Sequence, residues 1–323
     1  MVVQCIAANL SHHQSYHYLG MMKRAQAFGK KQFMRLGLEH AGEYKWMTYK
    51  HHCNLDRFRT YYGVTPRTCA RLWHYMRDSN DPKIRLYKNA NPSHLLLAIR
   101  FCWRYEREKE LGMRFQIRSE KTVRKWVKFY LNRMRLLLPS FMADWDEAYS
   151  GLYFLFTVDG THCPIEEPKP WSSTWSSHKL GGKPGVNYEI GLQIDKPQLF
   201  WLYGPLPAGT NDVSVFKQEF MPALEQFTKD KGVTVRGLGD KGYVGVPEFL
   251  SIRNDLDPED VAEFKSRCLA RHETFNQKLK MFASLDTRFR HGVEMHQAVF
   301  EAIVVLTLIQ LATGAISLFV PYL

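Results

Sequence analysis

The sequence has few cysteines and lacks the paired spacings that would give them a structural role. Its six cysteines are scattered over 323 residues without a CxxC pair, which argues against both a zinc ribbon and a disulfide framework. The chain also lacks a charged and then apolar leader, and this argues against secretion. These absences together predict a protein of a reducing, intracellular compartment.

Long apolar runs are also scarce, with one exception near the end of the sequence. The nineteen residues from Ala302 to Val320 carry no formal charge, and their number would be enough to span a membrane. Thr307, Gln310 and Gly314 interrupt the run, however, and a helix buried inside a large core would have the same composition. We therefore predict a buried core helix and no membrane partner.

Charge of one sign is concentrated in the first half. Residues 1–150 contain 27 Lys and Arg against 12 Asp and Glu, whereas residues 151–323 contain 17 against 20. The imbalance favours a polyanion-binding module, residues 1–145, attached to a separate catalytic domain, residues 146–323. A solvated basic surface without a partner would give the same charge pattern.

Two helix-turn-helix patterns lie in the basic half. In the first, Gly63 separates two helical stretches, with Thr65 as the N-cap and Pro66 at the first helical position. In the second, a helix over Pro92 to Glu110 precedes another helix that Ser119 would cap. We expect an all-α domain over this region.

The helix after Ser119 has two contrasting faces. Its predicted inner face consists of Val123, Trp126, Val127, Tyr130 and Met134. Its outer face consists of Lys121, Arg124, Lys125 and Lys128. The basic face could contact DNA phosphates and bases, although a solvated amphipathic helix would have the same pattern.

The pattern of elements changes after residue 150. The sequence predicts strands over Leu152–Val158, Val186–Ile194, Gln198–Tyr203 and Gly232–Gly239, with a helix over Val213–Phe227 before the last. Three strands, a crossover helix and a fourth strand parallel to the first form the start of a ribonuclease-H-like fold. We therefore predict an α/β catalytic domain, a mixed sheet flanked by helices.

Three carboxylates occupy chemically suggestive places in this order. Asp159 follows the first strand, Asp240 follows the fourth, and Glu273 opens a helical segment. Mg²⁺ prefers hard oxygen ligands, and a pair of such ions can hold both oxygens of an in-line phosphoryl displacement. Each residue alone could be structural, since Asp159-Gly160 is a hairpin-turn signal, Asp240 could be a turn aspartate and Glu273 could be an exposed helical charge. Asp212, just before the crossover helix, could be a helix N-cap or an accessory residue near the metal.

The second half resembles the DDE transposases of the Harbinger group and the related bacterial insertion-sequence transposases. The similar segments are TVDGTHCPIEEP, HKLGGKPGVNYEIGLQI, GPLPAGTNDVSVF, GLGDKGY and ARHETFNQKLKMF. The resemblance implies that Asp159, Asp212, Asp240 and Glu273 bind two Mg²⁺ or Mn²⁺ ions, with Asp159, Asp240 and Glu273 as the catalytic set. It departs from the bacterial enzymes at Leu269, where they have an arginine.

The resemblance also implies partners and a location. DNA would be the substrate, at the terminal repeats of a transposon and at a target site. Lys280, seven residues after Glu273, lies on nearly the same helix face and could contact a DNA phosphate, although such charges would also serve helix solubility. Arg271 could supply the DNA-contacting charge that Leu269 lacks. A homo-oligomer is expected because two element ends must be handled together, and a separate DNA-binding accessory protein is possible. The protein would be nuclear in a eukaryote and cytoplasmic in a bacterium.

The predicted function is therefore divalent-metal-dependent phosphodiester hydrolysis and strand transfer at transposon ends. Two alternatives stay open at this point. One is a domesticated DNA-binding protein that retains the fold without cleavage, and the other is a stand-alone metal-dependent nuclease.

Overall fold

A helical part precedes a mixed β-sheet in the computed structural model, which describes residues 25–42, 51–149 and 154–315. The helices of the first part are α1 (Lys30–His40), α2 (His51–Tyr62), α3 (Pro66–Asp78), α4 (Pro92–Arg104), α5 (Glu108–Arg114), α6 (Glu120–Arg135) and α7 (Trp145–Ala148). Those that follow are α8 (Asp212–Val215), α9 (Met221–Lys231), α10 (Glu259–Lys280), α11 (Ala283–Asp286) and α12 (Val293–Ala312). The strands are β1 (Phe154–Pro164), β2 (Ser176–Ser177), β3 (Lys183–Gln193), β4 (Leu199–Pro207), β5 (Arg236–Gly239) and β6 (Leu250–Ile252).

The first predicted helix pair is confirmed in detail. The hydroxyl of Thr65 accepts a hydrogen bond from the amide of Thr68, and Pro66 begins α3. Gly63 has a φ of +72°, and a Cβ there would lie 2.2 Å from the ring of Trp103. Both the left-handed backbone and this close approach therefore require glycine at the turn.

The second predicted pair forms with one correction. Instead of one helix from Pro92 to Glu110, the chain leaves α4 at Tyr105, whose φ is +51°. The Tyr105 ring stacks on Phe289, and its hydroxyl accepts a hydrogen bond from the amide of Arg290. These contacts with residues 184 and more positions away stabilise the break, and sequence periodicity does not reveal them.

Helix α6 has the two faces that the sequence predicts. Val123, Val127, Tyr130 and Met134 are buried, whereas Trp126 is half-buried and its ring stacks on His94 at 4.3 Å. The side chains of Lys121, Arg124, Lys125 and Lys128 are all exposed. Their role in DNA binding stays a prediction, as does that of the helix-turn-helix units.

The sheet has the strand directions that the sequence predicts. β1 pairs antiparallel with β3 and parallel with β5, while β3 also pairs antiparallel with β4, and β6 lies parallel to β5. The resulting order is β2-β3-β1-β5-β6, with β4 also paired to β3, and it is compatible with a ribonuclease-H-like fold. Leu152 and Tyr153 of the predicted first strand lie outside the described residues.

The first strand extends beyond its predicted end. Asp159-Gly160 is not a turn, because β1 continues to Pro164 and Gly160 pairs with Glu189 of β3. The turn reading of this dipeptide is therefore wrong, and the hydrogen bonds to β3 explain why the strand continues.

Hydrophobic packing joins the helical part to the sheet. The largest core cluster contains α1, α3, α4 and α6 together with β1, β3 and the C-terminal helices, so it includes residues on both sides of position 145. A second cluster on the other face of the sheet includes Phe156, Phe200 and Phe220. The division into two domains at residue 145 stays a prediction.

Helix α12 crosses the largest cluster. Among the described residues it is the one helix long and apolar enough to cross a membrane, and 72% of its apolar window is buried inside the protein. Residues 302 to 309 are all buried, including Thr307, whose hydroxyl donates to the carbonyl of Ile303. The helix therefore packs in the core as predicted, but its bounds differ: it begins at Val293, and residues 313–315 have already left it. Residues 316–320 of the predicted segment lie outside the described part of the chain.

Candidate active site

Two neighbouring parallel strands bring Asp159 and Asp240 together. In the register of β1 and β5, Thr157 is opposite Leu238. Two residues further along, β1 carries Asp159 and the chain after β5 carries Asp240. The sequence correctly predicts this juxtaposition, although Asp159 lies within its strand and not at its end.

Helix α10 lies against the same region and supplies the third carboxylate. Asn276 of α10 is buried, and its Nδ2 donates a hydrogen bond of 2.8 Å to Oδ2 of Asp159. Glu273 lies three residues earlier on the helix and is exposed. It lies well inside α10 and does not open a helix as predicted, because the helix already begins at Glu259. Residues three apart are neighbours on a helix surface, so Glu273 faces the side of the site to which Asn276 is bonded.

The pKa of Asp159 is shifted by burial and by the charges of neighbouring side chains. Burial raises the pKa of Asp159 to about 7, the charges of Asp240 and Glu273 raise it as well, and Lys179 opposes the rise. Like charges raise a carboxyl pKa only when they are near. The three predicted acids therefore form one electrostatic group, with Asp159 half-buried and the other two exposed.

Asn276 is a residue that sequence reasoning missed. Its amide engages one of the two Asp159 oxygens and thereby fixes the orientation of the carboxylate, while its own Oδ1 is buried without a hydrogen-bond partner. The spacing from Glu273 is the signal that could have identified it, because a polar residue three positions after a site residue lies on the same helix face.

Asp212 has a different role from the helix cap considered above. Asn211 is the N-cap of α8, and its Oδ1 accepts a hydrogen bond of 3.1 Å from the amide of Ser214. Asp212 is instead half-buried, and its Oδ1 accepts a hydrogen bond of 2.9 Å from Nδ2 of Asn187. Lys179 lies 3.5 Å from its other oxygen. The cap interpretation of Asp212 is therefore wrong.

A buried glutamate lies behind Asp212. Glu189 of β3 is fully buried, its Oε1 accepts a hydrogen bond of 2.9 Å from Nδ2 of Asn187, and its Oε2 accepts one from the hydroxyl of Tyr243. Tyr243 belongs to the short helix that Asp240 caps. This network therefore connects the loops that carry Asp212 and Asp240.

The network also explains Gly160, which adjoins Asp159. A Cβ at Gly160 would lie 2.8 Å from Oε1 of Glu189 and 3.1 Å from Oδ1 of Asp212. Only glycine leaves the buried carboxyl and its partners in place.

The sequence signal for Glu189 is a charged residue inside the stretch VNYEIGLQI, whose other residues are apolar or uncharged. A charged residue is unusual in a buried strand.

The protonation of Glu189 gives a testable pH dependence. Burial, and then the nearby Asp212, raise its pKa from an ordinary value of 4.5 to about 9. The folded chain therefore holds a proton that the unfolded chain releases, so stability falls as the pH rises from about 4.5 to about 9. Glu189→Gln should melt at nearly the same temperature as the wild type at pH 5 and at a higher one at pH 9.

The control for this prediction is Glu189→Ala, which leaves the Tyr243 hydroxyl without its partner, removes one of the two acceptors of Asn187 Nδ2, and should lower the melting temperature at both pH values. A difference between Glu189→Gln and the wild type that does not change with pH would contradict the buried neutral carboxyl.

The donor set suits a hard divalent cation in its chemistry, because all four predicted ligands offer carboxylate oxygens. No three His, Cys, Asp or Glu side chains in the described parts of the chain are already grouped closely enough to hold a metal ion. Metal binding would therefore require Asp240 and Glu273, which are exposed, to close toward the half-buried Asp159 and Asp212. The two Mg²⁺ or Mn²⁺ ions stay a prediction.

The predicted DNA contacts on α10 divide into two groups. Arg271 is buried, and its guanidinium donates hydrogen bonds to the carbonyls of Gln193 and Lys196. Arg271 is thus held inside the protein, which corrects its prediction as a DNA contact. Lys280 is half-buried, and it is among the charges that lower the pKa of His162 on β1, so it remains a candidate contact.

Leu269 packs beside a small cluster that includes Phe154 and Phe264. The position where the bacterial enzymes have arginine is apolar packing in this chain.

Comparisons with known proteins do not assign this chain to a family. No family model matches the chain, and no curated protein matches it. Among solved structures, the Mos1 transposase paired-end complex with left transposon end is similar at 12% identity and a TM-score of 0.24, over 88% of this chain and 96% of that one. A TM-score of this size does not establish a common fold. The Harbinger resemblance therefore stays unconfirmed.

Proposed function

We propose that this protein is a metal-dependent DNA endonuclease of the transposase type, which cuts phosphodiester bonds at transposon ends and transfers the freed strand to target DNA. The observation that carries the proposal is the placement of the acids. The parallel register of β1 and β5 brings Asp159 beside Asp240, and Asn276, three residues after Glu273 on α10, donates a hydrogen bond to Asp159. Strongly perturbed carboxyl groups in such clusters are typical of functional sites.

The three aspartates of the proposed site each accept a hydrogen bond that orients them. Asn276 orients Asp159, Asn187 orients Asp212, and the amide of Gly242 donates to Asp240 at 2.8 Å. When bound, Mg²⁺ or Mn²⁺ would neutralise phosphodiester charge and lower the pKa of water. The protein's own contribution is to fix the carboxylates that hold the ions and to place the DNA across them.

The direct experiment is an assay of the full chain on duplex DNA with Mg²⁺, with Mn²⁺ and with EDTA. We expect cleavage that depends on the divalent ion and leaves 3′-hydroxyl ends. DNA binding without cleavage under all these conditions would instead favour the domesticated DNA-binding protein, an alternative that accords with the absence of a preformed three-ligand group in the described residues.

The exposed basic face of α6 is the proposed DNA-binding surface. Replacing Lys121, Arg124, Lys125 and Lys128 together by Ala should reduce the slope of log K against log salt by about 2 to 4 units, because each lost phosphate contact removes about 0.9. The measurement is DNA affinity of the full chain at several salt concentrations, since the helical part shares its core with α12.

A control variant removes the same number of positive charges, but from exposed lysines outside α6. Replacing four other exposed lysines, Lys83, Lys88, Lys217 and Lys229, should leave the slope nearly unchanged. If both variants reduce the slope of log K against log salt equally, DNA binding depends on the total charge of the protein and not on the basic face of α6.

A further inference from the structure

Lys179 is a basic side chain held within the group of acids. It lies on the short helical turn His178–Leu180 between β2 and β3, and its Nζ is 3.5 Å from Oδ2 of Asp212. Its positive charge also lowers the pKa of Asp159. The lysine is thus the counter-charge of Asp212, a carboxylate that we propose as a metal ligand.

The turn that carries Lys179 is well anchored. Gly181 and Gly182 have φ values of +66° and +79°, and the amide of Gly182 donates to the carbonyl of Ser177 at 2.8 Å. Ser177 in turn lies 2.7 Å, Oγ to Nδ1, from His162 of β1. Hydrogen bonds to the central strand therefore fix the hairpin over the site, and the long lysine side chain extends from it toward Asp212.

The ammonium and a divalent cation compete for the same oxygens. The carboxylate of Asp212 attracts either one, but a dication and Lys179 beside the same Asp212 oxygen would repel each other. Lys179 is about two-fifths exposed, so it can leave Asp212 without losing its place on the turn. A displaced ammonium at this position would face the phosphates of a bound polynucleotide.

We propose that Lys179 is a built-in counter-cation, which occupies Asp212 in the metal-free protein, is displaced by a divalent ion, and then contacts a DNA phosphate. The second half of this inference rests on the proposed function, whereas the competition with metal does not require DNA. Lys179 would in this way keep the acids paired while the site is empty and contribute positive charge to substrate binding when it is filled.

The test is a titration of the full chain with Mn²⁺ alone. Lys179→Met should bind Mn²⁺ about ten-fold more tightly than the wild type, which is the effect expected from removing one partly exposed competing charge. Lys179→Arg retains the charge and should bind like the wild type. Lys183→Met, at an exposed lysine of the same hairpin, is the matched control and should also leave the affinity unchanged.

DNA cleavage by Lys179→Met should change in the opposite direction and fall about ten-fold at saturating Mn²⁺. A merely structural role would weaken both metal binding and cleavage. Equal Mn²⁺ affinity in Lys179→Met and a metal-binding wild type would overturn this inference and leave the proposed function standing. If neither protein binds Mn²⁺, both the inference and the metal-dependent function are wrong.

Discussion

Asp159→Asn should abolish Mg²⁺-dependent DNA cleavage, with a loss of about a thousand-fold or more, because a neutral amide is a poor ligand for a hard cation. The chain should stay folded. Since burial and the neighbouring acids hold the pKa of Asp159 at about 7, its ionised form opposes folding at pH 8, and the substitution removes that charge. Cleavage assays and melting curves at pH 8 measure the two effects.

Asp255→Asn provides the control, because Asp255 is an exposed aspartate in the loop before α10. It should retain wild-type cleavage and stability. Full activity of Asp159→Asn would remove Asp159 from the proposed site, whereas a large fall in its melting temperature would contradict the argument that the ionised form opposes folding at pH 8.

Leu306→Asp should unfold the whole chain. Leu306 is fully buried on α12, within the cluster that includes the helical part and the sheet. An unpaired charge there costs several kcal/mol, on the order of the total stability of a domain. Because both parts share this core, we expect circular dichroism to show loss of helix beyond the C-terminal segment alone.

A second substitution on the same helix separates burial from a general effect of charge. Ala312 is the exposed last residue of α12, and Ala312→Asp should cost less than about 1 kcal/mol, chiefly through the helix dipole. A stable, folded Leu306→Asp protein would mean that α12 does not pack as a core helix.

The sequence correctly predicted the elements that depend on interactions between residues close together in the chain. Thr65 and Pro66 begin α3 because capping and a fixed proline φ act within a few residues. The parallel pairing of β1 with β5 followed from the order of strands and crossover helix along the chain. The pairing of Asp159 with Asp240 followed from that order, since parallel neighbouring strands place equivalent positions side by side.

The features that the sequence did not reveal depend on distant contacts. Asn276 reaches Asp159 across 117 positions, and Tyr243 reaches Glu189 across 54. Asp159-Gly160 continues a strand because β3 pairs with it, although the dipeptide alone favours a turn. The sequence predicts Arg271 as a surface charge. In the structure its guanidinium donates hydrogen bonds to the carbonyls of Gln193 and Lys196, near the end of β3.

The central claim is that Asp159, Asp240 and Glu273 hold divalent ions. Crystals of the full chain soaked in Mn²⁺ would test it most directly through the anomalous difference map. We predict two Mn²⁺ peaks about 4 Å apart, with Asp159 in contact with both and with Asp240 and Glu273 moved toward them. Soaked crystals with no peak at Asp159, or with Mn²⁺ bound only elsewhere on the protein, would contradict the account.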